Sequence, residues 1–186
     1  MTIPSALKTE RLLLRQWQEG DFPKFVEMGK DADVMRYFPA KLTEKESNAM
    51  ALKIQSLIHE RGWGFWAVEL LEQENFISFV GLHVPKSNLP FSPCVEIGWR
   101  LAVKHWRKGY ATEAANAALK FAFSELDIAQ VVSFTSIINT PSQQVMRNLG
   151  MCHAGNFTHP DVPKDSPLAK HVLFKISRDK WSRLNA

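Results

Sequence analysis

The decapeptide HWRKGYATEA, His105 to Ala114, sets two cations and a glycine directly ahead of an alanine-rich run. A glycine lets backbone approach a ligand closely, and the first-turn amides of a helix have no intrahelical acceptor. A strand, such a turn and a helix start together make an anion site, strengthened by the positive end of the helix dipole. Arg107 and Lys108 add charge to it. The same residues equally suit a tight turn at Gly109 within a solvated basic loop, and the stretch alone does not separate the two readings. No Gly-Lys-Ser/Thr follows a four-residue spacer and no G-x-G-x-x-G is present, so nucleotide hydrolysis and dinucleotide binding lose ground.

Other chemistry-bearing residues are sparse. Cys94 and Cys152 are too few for a disulfide scaffold and lack ligand spacing, so they read as free thiols suited to a reducing compartment. The 6 histidines have no paired spacing of the kind zinc needs, and neither cysteine sits in a nucleophile motif. No metal and no covalent intermediate is expected.

Elements must position the anion turn. The run Glu10 to Trp17 predicts a first strand, closed by Glu19-Gly20-Asp21. Asp21 is expected to cap a helix through Lys30, and Thr43 with Glu46 forms a capping box for a longer helix to about Arg61. Phe65 to Leu71 and Phe76 to Val84 predict a hairpin around the polar stretch Glu72 to Asn75, and Cys94 to Val103 a further strand. Ala111 to Leu126 predicts a helix, with Ala111, Ala114, Ala115 and Ala118 small enough for close packing. Gln130 to Ile138 is too β-branched for a helix. Thr140-Pro141-Ser142-Gln143 reads as a second capping box, and Gly150 as the glycine ending that helix. Met151 to Thr158 and Lys170 to Ser177 are the last strands. The order β-α-α-β-β-β-α-β-α-β-β describes an α/β (α+β) chain, a mixed sheet covered by helices.

A length of 186 residues without a Gly/Ser/Pro-rich linker favours one domain. The 45% hydrophobic and 23% charged composition excludes a disordered tail. The opening MTIPSALKTERL lacks the pattern of a secretion leader and no apolar run of about 18 residues occurs, so a cytoplasmic location is the default. A net charge of +4, spread along the chain, suits an anionic ligand and is too small to indicate nucleic acid.

The run EIGWRLAVKHWRKGYATEA, Glu96 to Ala114, together with INTPSQQVMRNLGM, Ile138 to Met151, resembles the GCN5-related N-acetyltransferase (GNAT) superfamily. ALKTERLLLRQW at the start and the order of the remaining segments extend the likeness over most of residues 6 to 178. Within the superfamily the chain looks most like the RimJ/RimL-like branch, the ribosomal-protein N-terminal acetyltransferases, with Trp106 where other branches prefer Gln or Arg. The resemblance implies a single N-acetyltransferase domain over residues 1–186, with a mostly antiparallel sheet of about seven strands splayed at its centre. It also implies acetyl-CoA as cosubstrate. Its pyrophosphate would sit on Trp106, Arg107, Lys108, Gly109, Tyr110, Ala111 and Thr112, and its pantetheine against Trp99, Arg100 and Leu101, with Leu101 N–H polarising the thioester carbonyl. Asn139 and Ser142 match positions near the pantetheine and sulfur, although a turn Asn and a helix-start Ser read equally well.

Acetyl transfer to an amine needs a base and a stabilised leaving thiolate. The resemblance implies Glu96 as base, directly or through water; a cap or ion pair is its plainer alternative. Many relatives place a tyrosine acid where this chain has Met146, which leaves Ser142 or water to assist the thiolate. The acceptor is an amine, on a peptide N-terminus or a small molecule, including an antibiotic. Trp63, Phe65, Trp66, His83, His153, His159 and His171 would wall its groove, with core packing the plainer role of each. Thr158 to Leu168 is a lid or an ordinary surface loop. A non-catalytic acyl-CoA-binding module stays open because of Met146, a nucleic-acid-binding domain rests on charge alone, and no membrane partner is expected. Monomer and homodimer are both open.

Overall fold

Arg15, at the end of strand β2 (Leu12–Arg15), is gathered by carboxylates from two directions in the computed structural model, which describes residues 6–73, 75–86 and 88–186. Its guanidinium donates to Asp21 at 2.7 and 3.0 Å and to Glu69 at 2.7 Å. Asp21 also accepts from Gln18 N at 2.8 Å. The expected capping of helix α1 (Phe22–Lys30) by Asp21 is therefore corrected: the side chain makes no cap bond, because a half-buried arginine claims it. Pro23 stands in the first turn of that helix, where a missing N–H costs nothing. Met1 to Ser5, which open the leader reading, lie outside the described residues, as do Glu74 in the predicted hairpin turn and Ser87 in the loop after it.

The chain divides into two compact units, each assembled from two separate segments. The first runs to Leu82 and adds Gly98–Ala118. It opens with strand β1 (Leu7–Lys8), two residues paired antiparallel with β2, which raises the expected seven strands to eight among the described residues. Helix α2 (Glu44–Arg61) starts at the predicted capping box, with Thr43 Oγ1 accepting from Glu46 N and Glu46 accepting from Thr43 N. Strands β3 (Phe65–Leu70) and β4 (Asn75–His83) form the predicted hairpin, paired from Phe65↔Gly81 to Leu70↔Asn75. Phe76 to Leu82 are buried without alternation, the signature of a strand covered on both faces. Trp17 organises this core: its ring lies 5.1 Å from Phe25 and 5.4 Å from Phe76, edge-on or tilted, and its Nε1 donates to Phe65 O at 2.8 Å.

The second unit, His83–Ile97 with Leu119–Ala186, carries strands β6 (Gln130–Ser136), β7 (Cys152–Thr158) and β8 (Lys170–Ser177) with helix α4 (Thr140–Asn148). Strand β8 pairs antiparallel with both β6 and β7. The cap of α4 is corrected by one residue: Asn139, not Thr140, accepts from Ser142 N, and the Gln143 side chain donates to Ile137 O rather than closing a box. Gly150, at φ +77°, ends the helix in the left-handed conformation as predicted. A closing helix α5 (Arg178–Leu184) is additional to the sequence reading; Ser177 caps it and Trp181 packs 5.7 Å from Phe123.

Strand β5 (Glu96–Leu101) begins in the second unit and ends in the first, and helix α3 (Tyr110–Ser124) crosses back. The sheet order is β1-β2-β3-β4-β5-β6-β8-β7. The β5–β6 ladder is parallel and consists of the single pair Glu96↔Val132. The fold is thus the expected mixed α/β one, with a mostly antiparallel sheet flanked by helices, five of them α-helical among the described residues where the sequence predicts four.

Replacing Asp21 by Ala leaves the Arg15 guanidinium, whose side chain is 12% exposed, short of one of its two carboxylates. The variant is expected to lose about 3 kcal/mol of stability, read from denaturant midpoints at constant slope.

Candidate functional site

The loop after β5 is pinned at both ends. Trp106 Nε1 donates to Leu101 O at 2.9 Å, folding the loop back on the strand that precedes it. Arg107 then takes φ +59° and Gly109 φ +82°, so left-handed residues bracket Lys108 immediately before α3. Backbone that alternates in this way turns successive N–H groups into one concavity, a nest for anions. The unpaired first-turn amides of α3 and its dipole face the same end of the helix. Arg107 is a non-glycine residue at positive φ, an uncommon conformation that clusters at ligand sites. At Gly109 a Cβ would also meet Arg11 Nη2 at 3.3 Å.

That last contact belongs to a network absent from the sequence reading. Glu113, in the first turn of α3, accepts from Thr9 Oγ1 at 2.6 Å, Arg11 N at 3.0 Å and Arg11 Nε at 2.7 Å. Arg11 Nη1 reaches on to Lys108 O at 3.0 Å, and its guanidinium lies 4.6 Å over the Tyr110 ring. One arginine therefore ties the loop carbonyl, the helix start and the β1–β2 turn together. Burial opposes ionisation of Glu113, but the Thr9 and Arg11 hydrogen bonds and the Arg11 charge together hold its carboxyl below the usual range. The signal was present as an acid in the first turn of α3 and a basic residue before β2, but nothing in their 102-residue separation pairs them. His105, buried behind the loop, has its pKa lowered by burial and then by Lys104 and Lys108, which favours the neutral ring.

Among the remaining predicted residues of β5, Trp99 is partly buried, Leu101 is buried, and Arg100 turns its side chain into a phenylalanine cage. Ala111 and Thr112 are half-buried in the first turn of α3.

In the second unit, Glu96 opens β5 opposite Val132. Burial pushes its carboxyl up to about 8, and no ion pair or hydrogen bond to it offsets that among the described residues. A carboxyl of this kind changes charge near neutral pH, the range in which a general base works. Asn139 and Ser142 come together: Asn139 Nδ2 donates to Ser142 Oγ at 3.1 Å and to Thr135 Oγ1 at 2.8 Å. Ser142 keeps its own hydroxyl proton to donate. Met146 is 1% exposed, a core side chain of α4.

The candidate acceptor-groove residues separate. Trp66 is fully buried, Phe65 packs 5.1 Å from Phe79, and Trp63 lies under Arg61, its ring centroid 5.9 Å away. These contacts are of the kind the packing alternative expects. His83 is half-buried at the end of β4. His159 and His171 lie 4.9 Å apart with their rings tilted, beside Phe134 and Phe157, with burial lowering both pKa values, whereas His153 meets Asn156 at 3.0 Å in an exposed position. The loop after β7 is closed at its base by His159 N donating to Ala169 O at 2.9 Å. Cys94 and Cys152 are both free thiols, as expected. Among the described residues no three His, Cys, Asp or Glu side chains group as metal ligands, and no helix is long and apolar enough to cross a membrane.

Residues 11–152 match the acetyltransferase (GNAT) domain family. The uncharacterized N-acetyltransferase YnaD of Bacillus subtilis is 27% identical over 177 residues, covering 95% of this chain and 99% of that protein. An acetyltransferase of the GNAT family from Bacillus anthracis, known by crystal structure, superposes with TM-score 0.78 at 28% identity, covering 94% of this chain and 99% of the other. Mycobacterium smegmatis RimJ, solved with CoA-disulfide, shares the fold at TM-score 0.74 and 18% identity, covering 95% of this chain and 88% of its own. With the family match spanning most of the sequence and carrying β5, the nest and α3 inside it, this chain belongs to the GNAT acetyltransferases.

Proposed function

We propose that the protein transfers the acetyl group of acetyl-CoA to a primary amine by direct attack in a ternary complex. The observation that carries this reading is the nest at Arg107–Gly109, continuous with the start of α3 and locked by Arg11 and Glu113. Three successive elements of recognition suit an anion of pyrophosphate size there: free amides, a helix dipole and the exposed cations Arg107 and Lys108. Trp106, Tyr110, Ala111 and Thr112 complete that surface. Trp99, Arg100 and Leu101 offer backbone groups to the pantetheine, and the Leu101 N–H is suited to polarise the thioester carbonyl as charge develops on oxygen.

Glu96 takes the proton from the attacking nitrogen. The nitrogen lone pair forms the C–N bond, the tetrahedral intermediate expels the thiolate, and sulfur takes a proton from water or from the Ser142 hydroxyl, oriented by Asn139 and itself reprotonated by water. The free thiols fit a cytoplasmic enzyme. Trp106 and the likeness to RimJ favour a RimJ/RimL-like enzyme acting on a peptide N-terminus, and a panel of Ser- and Ala-initiated peptides against polyamines and aminoglycosides, followed by thiol release, decides it. Activity confined to the small amines removes the peptide reading.

Acetyl-CoA at roughly 100 times its Kd is expected to stabilise the protein by about 2.7 kcal/mol, a melting shift of about 5–10 °C. Acetyl-pantetheine, which lacks the pyrophosphate, is expected to shift it far less. Arg11→Ala is expected to weaken CoA binding roughly 5–20-fold by loosening the loop, with pantetheine binding unchanged; equal losses on both would remove the nest from pyrophosphate binding.

The raised pKa of Glu96 predicts a rising limb in the pH profile of kcat/KM near pH 8, abolished in Glu96→Gln with acetyl-CoA affinity retained. The folded state binds this proton more tightly than the unfolded chain, so its favourable contribution is complete at low pH and is lost as pH rises from about 4.5 to about 8. Glu96→Gln is therefore expected to gain stability relative to the wild type as pH rises, by about 1–3 kcal/mol at pH 9.

A further inference from the structure

Arg100 is an uncompensated charge. Its residue is 7% exposed, Nε and Nη1 are buried without an acceptor, and no carboxylate pairs with it among the described residues. A buried guanidinium without a partner costs several kcal/mol, and proteins retain one chiefly where something else completes it. Three phenylalanine rings surround it instead: Phe38 with its centroid 4.2 Å from the guanidinium carbon, Phe79 at 5.3 Å and Phe25 at 5.9 Å. Ring faces attract a cation but accept no N–H in its plane, so the hydrogen-bonding edge of the guanidinium stays unmet. Desolvation lowers its pKa only to about 10, so it is still charged at neutral pH.

The cage has an outer wall. Phe25 and Phe79 belong to the buried core, at 0% and 5% exposure, whereas Phe38 is 37% exposed in the segment between α1 and α2. Of the three rings it is the nearest to the guanidinium and the only one that reaches the surface. Arg100 also lies on β5, the strand that opens with the proposed base Glu96. Side chains alternate along a strand, and an even separation of four residues sends both from the same face.

We propose that Arg100 is the specificity residue for the acceptor, and that the acceptor amine carries a carboxylate which enters beside Phe38 to pair with it. The inference rests on the acetyltransferase reading above and narrows its substrate class to amines bearing a carboxylate, either a free amino acid through its α-carboxylate or a peptide through an acidic side chain near its N-terminus. The phenylalanine walls suit an apolar portion next to the carboxylate.

The test is a comparison of matched acceptors with the intact enzyme, reading thiol release from acetyl-CoA. L-Phenylalanine and L-leucine are set against their amides, and an amidated peptide beginning Ala-Glu against one beginning Ala-Gln. The carboxylate member of one pair type is expected to have a kcat/KM at least roughly tenfold higher, and which pair responds identifies the source of the carboxylate. Arg100→Gln is expected to bring the acid-to-neutral ratio of kcat/KM close to one by raising KM chiefly for the acid, with Arg100→Lys retaining part of the preference.

Equal kinetics for acid and neutral twins in the wild-type enzyme overturn the proposal, as does an Arg100→Gln variant that loses both equally. Should the Arg100 variants not fold, Phe38→Ala, at the surface, is expected to change KM for the acid and not for its twin; an unchanged acid KM there also counts against the proposal. Melting shifts separate the two levels. Loss of protection by acetyl-CoA removes the acetyltransferase reading itself, whereas protection by acetyl-CoA without selective protection by N-acetyl-L-phenylalanine, N-acetyl-L-leucine or the N-acetylated Ala-Glu peptide over their neutral twins removes only the carboxylate subsite.

Discussion

A carboxylate in the first turn of helix α3 holds the loop that precedes it. Glu113 accepts from Thr9 and from Arg11 N and Nε and pairs with Arg11 Nη2 at 2.6 Å, while Arg11 Nη1 donates to the Lys108 carbonyl and the guanidinium lies over Tyr110. Without that clamp, a run holding Arg107 in left-handed backbone, with Lys108 beside it, would have little reason to keep one conformation. Charge-assisted hydrogen bonds are roughly twice as strong as neutral ones, and here several converge on one carboxylate that is mostly shielded from water. The nest, the orientation of the α3 amides and the covering of Leu101 O by Trp106 all follow from where this loop is held.

Strand β5 carries a contrasting arrangement. Glu96 and Arg100 are opposite charges on one six-residue strand, yet neither pairs with the other nor with any described residue. An even spacing along a strand places such side chains about 13 Å apart, too far for an ion pair. Each is instead left to desolvation, which makes the carboxyl a weak acid and keeps the guanidinium hungry for an acceptor. Arg15, on β2 in the first unit, shows the ordinary solution, with Asp21 and Glu69 both within 2.7 Å of its guanidinium nitrogens. The buried Asp21 is paired with Arg15, whereas the two groups on β5 are not, and uncompensated groups of this type are a recurrent mark of sites that wait for a substrate.

Much of the secondary structure was legible because its signals are local. The Thr43 and Glu46 box, the hairpin of β3 and β4, the β-branched run of β6 and the glycine after α4 each depend on residues within a few positions of one another. The misreadings were also local signals, outbid by partners farther away. Asp21 has the composition of a cap but is drawn to Arg15 across the β2 turn, and Thr140 yields to Asn139, whose side chain has Thr135 as a second anchor. Helix α5 is short, and its Ser177 cap sits at the end of a strand, where the β pattern masks it; packing of Trp181 on Phe123 supplies what propensity does not.

From residue types and spacing alone came the anion turn HWRKGYATEA, the order of strands and helices, and the likeness that named acetyl-CoA, because each is written in contiguous sequence. The clamp of Arg11 on Glu113 and the cage of Phe25, Phe38 and Phe79 around Arg100 were decided only by tertiary structure. Their members lie on elements distant in the chain, and the desolvation that raises Glu96 and strands Arg100 depends on what packs around them, which no local pattern records.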